Sequence, residues 1–255
     1  MEQILLALAF GALVGLSLGL VGGGGSILTV PILVYVLGES AHLATGTALA
    51  IVGANALIGA WDHRRAGRVR LPVAFIFGGI GTVGALAGSL LNHLAPERAV
   101  LIGFALLMLA TAAAMAWLRL GDRRAAERLG LSWRMVLAGL AVGVLTGFFG
   151  VGGGFLIVPA LVLALGLPMR DAVGTSLVVI AINAAAALVG HLRFGGIDLE
   201  VTGLFIISGA AGAILGSRIS GCIDEQRLRQ GFAGVVVLIA LYILARTLLG
   251  HPAGT

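Results

Sequence analysis

Two glycine clusters carry the chemistry this chain offers. Gly22, Gly23, Gly24 and Gly25 interrupt one apolar stretch, Gly150, Gly152, Gly153 and Gly154 interrupt another, and a proline follows each, Pro31 and Pro159. Glycine weakens a helix by about 1 kcal/mol per residue relative to alanine, so such runs read as helix breaks. A helix that restarts at Ser26 or Phe155 presents unpaired N–H groups and the positive end of its dipole, which together suit an anion without any lysine. Close packing through small residues is the plainer use of glycine in an apolar segment. The recurrence of the cluster with its trailing proline favours the ligand-facing reading. No Lys-Ser or Lys-Thr follows either cluster, which argues against a phosphate-binding loop of the nucleotide-hydrolase kind.

Hydroxyls and carboxamides form the second group. Thr47 and Thr175, with Ser176 beside the latter, are each followed eight residues on by an asparagine, Asn55 or Asn183. That spacing puts hydroxyl and amide near one helical face. A carboxamide in apolar surroundings turns to the protein interior. There it either bonds a neighbouring helix, worth about 0.6–2 kcal/mol, or contacts a solute. His63 and His191 follow, with Asp62 beside the first. Histidine titrates near neutrality and could couple protons, but the position of both at helix ends predicts solvated or headgroup-facing rings. No acidic residue falls in the middle of an apolar run, which weakens a proton relay. There is no nucleophile–base pair, no metal-ligand cluster and no cofactor motif, so neither an enzyme nor a cofactor is expected.

Most of these residues recur at one offset of 128 positions, the separation of Pro31 from Pro159. The same offset superimposes His63 on His191, Glu97 on Glu225, and the glycine-rich run that starts at Gly81 on the one that starts at Gly209. Within those runs Gly84 and Gly88, and Gly212 and Gly216, have the small-xxx-small spacing of close helix packing. The chain is therefore two homologous halves, residues 1–118 and 133–255, joined by an Arg-rich linker at 119–132.

The elements that must position these groups are membrane spans. Apolar residues make up 59% of the chain, charged residues only 11%, and mean hydropathy is +1.11. Apolar runs of about 20 residues recur throughout, the length that crosses a hydrocarbon core. They are continuous rather than alternating, which excludes a β-barrel. Net charge is +5 and all 16 basic residues are arginine. They lie between the apolar runs, where topology explains them and nucleic-acid binding does not. The single cysteine, Cys222, permits no internal disulfide.

Each half reads as a glycine-broken helix pair plus three full spans. If the pair folds as a hairpin, each half crosses an odd number of times and the halves are inverted. If the pair is one long broken helix, the halves are parallel. Arginine distribution separates the two. Inversion leaves only Arg98, Arg193 and Arg246 outside the cell, whereas the parallel arrangement puts Arg98, Arg170, Arg218, Arg227 and Arg229 there. Inversion is the expectation. Pro31 and Pro159 lie beyond the first turn of the restarted helices and would kink them.

At the clusters and their prolines the chain resembles the sulfite exporter TauE/SafE family of bacterial membrane permeases. The pattern stands at Gly147, Gly150, Gly152, Gly153, Gly154 and Pro159, and again at Gly19, Gly22, Gly24, Gly25 and Pro31, with Ser26 replacing the third glycine of the triplet. A second motif reads Gly174, Thr175, Ser176, and Gly46, Thr47, Ala48 in the first half. The resemblance implies a multi-pass carrier of the bacterial inner membrane for small sulfur-containing oxyanions such as sulfite or organosulfonates. The expectation is thus an all-α integral membrane transporter of two inverted halves. Its anionic substrate is held at Gly22, Gly23, Gly24, Gly25, Ser26, Gly150, Gly152, Gly153, Gly154 and Phe155, and the site is lined by Thr47, Asn55, Thr175, Ser176 and Asn183. An anion channel and a non-transporting membrane scaffold are the alternatives, and a homo-oligomer stays open.

Overall fold

The computed structural model describes residues 2–92, 96–117, 133–149, 154–191 and 196–248. Among them every regular element is helical, in the order α1 (Glu2–Val21), α2 (Gly24–Tyr35), α3 (Ala41–Arg65), α4 (Leu71–Asn92), α5 (Glu97–Trp117), α6 (Trp133–Phe149), α7 (Gly154–Leu163), α8 (Met169–His191), α9 (Leu199–Cys222) and α10 (Glu225–Leu248). The expected linker at 119–132 lies outside the described residues, as do Gly150, Gly152 and Gly153.

The repeat is visible in the helix boundaries. Helices α3, α4 and α5 begin at Ala41, Leu71 and Glu97, and α8, α9 and α10 begin 128 residues later at Met169, Leu199 and Glu225. Among the described residues six helices, α1, α3, α4, α8, α9 and α10, are long and apolar enough to cross a membrane. Helix α1 reaches that length by itself, which its apolar run alone did not promise. The short pieces are α2 with 12 residues and α7 with 10.

Packing exchanges elements between the halves. Helix α1 lies along α9, and α6 along α4. Both seams are closed by the small residues singled out above. A side chain at Gly15 would overlap the Gly209 backbone, one at Gly212 the Ala12 carbonyl, and one at Gly88 the Val144 carbonyl. With lipid as solvent there is little hydrophobic gain in joining two apolar helices. Close backbone approach and dispersion supply the attraction instead.

The contacts also fix directions. Along α1 and α9 the numbers rise together, Gly11 against Phe205, Gly15 against Gly209 and Gly19 against Ala213, so these helices are parallel. Helix α3 is parallel to α9 as well, with Asn55 at Phe205 and Asp62 at Ser217. Helix α4 is parallel to α8, with Arg70 at Asp171 and Thr82 at Asn183. The central pair, α3 and α8, is antiparallel: Gly53 faces Ala184, Gly59 faces Leu177 and His63 faces Gly174.

Candidate functional site

Helix α1 stops at Val21, Gly22 takes φ +79°, and α2 starts at Gly24. That φ lies in the left-handed region open to glycine, and it turns the chain back on itself. Gly25 consequently packs against Val14 and Leu18 of α1, so α1 and α2 form a hairpin and not one long helix.

The start of α2 meets the start of α7. A side chain at Gly23 would overlap the Gly154 carbonyl and the Phe155 amide nitrogen. At 1.5 Å per residue α2 is about 18 Å long and α7 about 15 Å. Together they equal about one hydrocarbon thickness, and their positive ends meet in the middle. No side chain caps α2 at Gly23, and no acidic residue lies in its first turn. Ser26 lies in that turn, and Phe155 is fully buried at the start of α7.

Around this junction the polar side chains fall into two sets. Ser176 is fully buried with its hydroxyl against Gly22, and it donates to the Val173 carbonyl at 2.8 Å. Asn55 is fully buried. Its amide donates to the Phe205 carbonyl at 3.4 Å, and its Oδ1 has no partner. Asn183 Oδ1 accepts from the Thr82 hydroxyl at 3.1 Å and lines a small cavity with Gly143, Thr146 and Ile157. Asn55 and Asn183 sit near the middle of α3 and α8, and Ser176 reaches the turn between α1 and α2 at Gly22.

Thr47 and Thr175 sit elsewhere. Thr175 Oγ1 accepts the Arg70 N–H at 3.0 Å, and Thr47 Oγ1 accepts the Asp198 N–H at 3.1 Å. Residues 70 and 198 are again 128 apart, and each immediately precedes a helix of the other half. The matching threonines therefore cap α4 and α9 across the interface, at opposite ends of the molecule.

His63 differs from expectation. Its ring is fully buried, with Nε2 2.9 Å from the Gly19 carbonyl in the last turn of α1 and Nδ1 without a partner. The end of α3 is enclosed by α1 and α8, so the ring serves a helix terminus and not solvent. The His191 side chain is outside the described set. The end of the molecule that holds His63 is rich in polar links. Ser217 donates to Asp62 at 2.6 Å, Arg170 donates to the Ile223 carbonyl at 2.6 Å, and Glu225 accepts from the Met169 N–H.

Two hydroxyls went unnoticed in the sequence, Thr82 bonded to Asn183 and Thr146 in the lining of the cavity beside it. Their counterparts at the 128-residue offset are Ala210 and Leu18. A search for polar groups repeated in both halves passes over them. Only an asymmetry filter, polar in one half and apolar in the other, could have raised them.

The family profile described as sulfite exporter TauE/SafE matches residues 7–243. The chain belongs to the sulfite exporter TauE/SafE family. Curated relatives of this TauE/SafE protein carry the same general description. A probable membrane transporter protein of Xylella fastidiosa (strain 9a5c) is 36% identical over 257 residues, covering 96% of this chain and 97% of the relative. The probable membrane transporter protein YdhB of Bacillus subtilis (strain 168) is 28% identical, covering 91% and 96%. No solved structure matches significantly. Membership makes this TauE/SafE chain a multi-span membrane transporter, which agrees with its six long apolar helices.

Proposed function

We propose that the protein carries small sulfur-containing anions, such as sulfite or an organosulfonate, across the bacterial cell membrane by alternating access. The observation that carries this reading is the contact of Gly23 with Gly154 and Phe155. Two helix N-termini face each other near mid-membrane, each worth about half a positive charge. They offer main-chain N–H groups to a compact oxyanion without the desolvation cost of a buried lysine or arginine. Gly22 to Gly25, Ser26, Gly154, Phe155 and Ser176 form the anion cradle, and Asn55 and Asn183 flank it on either side. Gly150, Gly152 and Gly153, expected from the sequence to belong to the same site, lie outside the described residues. Thr47 and Thr175 hold the halves together at the two ends.

The halves are inverted across the membrane. Helices α1, α3 and α9 run one way and α4, α6 and α8 the other, which makes each half's helices antiparallel to their counterparts. The end that gathers Arg64, Arg65, Arg68 and Arg70 with Arg170 and Arg218 faces the cytoplasm by the positive-inside rule. Rocking of one half against the other about the glycine seams would expose the junction to each side in turn.

Flux into proteoliposomes, measured for sulfite, sulfate, sulfoacetate, taurine and a cation control, tests the reading. The expected result is saturable uptake of sulfite or a sulfonate. Asn55→Ala and Asn183→Ala should each weaken binding by roughly 1–3 kcal/mol, the cost of leaving a buried anion oxygen without its donor. Flux that rises linearly without saturation would make the protein a channel. Absence of flux and of any anion-induced rise in melting temperature would leave a membrane scaffold.

A further inference from the structure

The seam between α3 and α9 has one covered side and one open side. The two helices are parallel, and Ser217 donates to Asp62 across them at 2.6 Å. Each position turns about 100° around its helix. On parallel helices the residue after Asp62 and the residue before Ser217 therefore face one side of the seam. That side is filled by α1: His63 reaches the Gly19 carbonyl, and Gly216 packs on Leu16 and Leu20. The residue before Asp62 and the residue after Ser217 face the opposite side. These are Trp61 and Arg218, and both are exposed. Arg65, one turn beyond Trp61, joins them with its guanidinium 5.3 Å from the centre of the Trp61 ring. Arg68 closes this groove at its end, against Gly221 and near the Ser217 carbonyl. Neither Arg65 nor Arg218 is in an ion pair among the described residues. Three arginines thus gather around one carboxylate, that of Asp62, which already accepts from Ser217. Trp61 sets the depth, because an exposed indole at the end of a span prefers the headgroup region. Toward the middle of the membrane Ile58 and Ile214 continue the same side of the seam, both half-buried.

We propose that this groove binds one anionic phospholipid, its phosphate between Arg65 and Arg218 and its acyl chains along Ile58 and Ile214. A guanidinium pairs with two phosphate oxygens at once, and one already stacked on an indole loses less freedom in doing so. A zwitterionic phospholipid brings its own cation, which the arginines repel. A soluble phosphate ester gains nothing from the two isoleucines. Helix α3 belongs to the first half and α9 to the second, so the lipid bridges the halves and holds this end together. On the transport reading it favours the conformation closed at this end, whereas the site itself does not rest on that reading.

The test titrates the purified protein, in an uncharged maltoside detergent, with phosphatidylglycerol or phosphatidylcholine. Native mass spectrometry counts the bound lipid, and melting is followed in parallel. The expected result is one phosphatidylglycerol retained per chain where phosphatidylcholine is not, with a rise in melting temperature that saturates as mass action requires. Glycerol 3-phosphate, the soluble form of the headgroup, should not displace it. Arg65→Gln and Arg218→Gln should each weaken retention about fivefold, the usual effect of one arginine near an anionic lipid surface. Arg227→Gln removes the same charge from α10, which packs mainly on α5, and should leave retention unchanged. If a variant fails to fold, the wild type still answers, since equal retention of the two lipids would overturn the proposal. An equal loss in Arg227→Gln would overturn it by showing attraction to overall charge alone. Displacement by glycerol 3-phosphate would overturn it by making a soluble phosphate ester the ligand. Anion flux in phosphatidylcholine vesicles decides the transport reading separately.

Discussion

Gly23 lies against the peptide that joins Gly154 to Phe155, so closely that no side-chain carbon fits between them. The turn before α2 and the first residue of α7 are thus neighbours in space. Gly23→Ala should lower stability by about 1–3 kcal/mol through overpacking against backbone that cannot yield, and should abolish anion flux. Gly79→Ala is the control, since its added carbon meets nothing and alanine favours a helix by about 1 kcal/mol. Thermal melting and liposome flux on both variants check this. Wild-type flux in Gly23→Ala would separate the contact from transport.

The threonine caps should behave as joints. Thr47→Val and Thr175→Val each leave a backbone N–H at the start of α9 or α4 without its acceptor, costing about 1 kcal/mol. The two sites lie at opposite ends, so the double variant should lose the sum. Anion affinity, read by calorimetry, should move less than about threefold, well under 1 kcal/mol. A larger change would return these hydroxyls to the solute path.

Cys222 is exposed at the end of α9, next to Gly221, which packs against Arg68. In the inverted arrangement this end is cytoplasmic. A membrane-impermeant maleimide should leave intact cells unlabelled and label opened ones. Labelling of intact cells would reverse the orientation.

Glu39 precedes α3 at the other end, beside Thr47 and Asp198. Burial first, and then the Asp198 charge, push its carboxyl above the ordinary value of 4.5. The Thr47 hydroxyl opposes this weakly, yet no full hydrogen bond reaches either Glu39 oxygen. A raised folded pKa means the native state holds the proton more tightly than the unfolded chain. The stability this adds is present below 4.5 and is lost as pH climbs through the raised value. Glu39→Gln should therefore melt higher than wild type at pH 7, with the gap closing as pH falls toward 4.5. Melting curves across that range give the sign directly.

The amino-acid pattern by itself determined the membrane class and pointed to the repeat and the breaks. Apolar runs of span length leave no soluble alternative, and a single offset aligns Gly22 with Gly150, Thr47 with Thr175 and Asn55 with Asn183. Those are local or periodic properties, written in residue order. Tertiary structure decided which of the matched groups are neighbours. It brought Gly23 to Gly154, gave Thr47 and Thr175 to caps across the halves, and buried His63 under Gly19. It also set Thr146 on the cavity that Asn183 lines and Thr82 against Asn183, although neither threonine has a polar counterpart in the other half. Helix direction and rotation depend on which small residues allow two backbones to touch. That choice is made by packing of the whole bundle and is carried by no single segment.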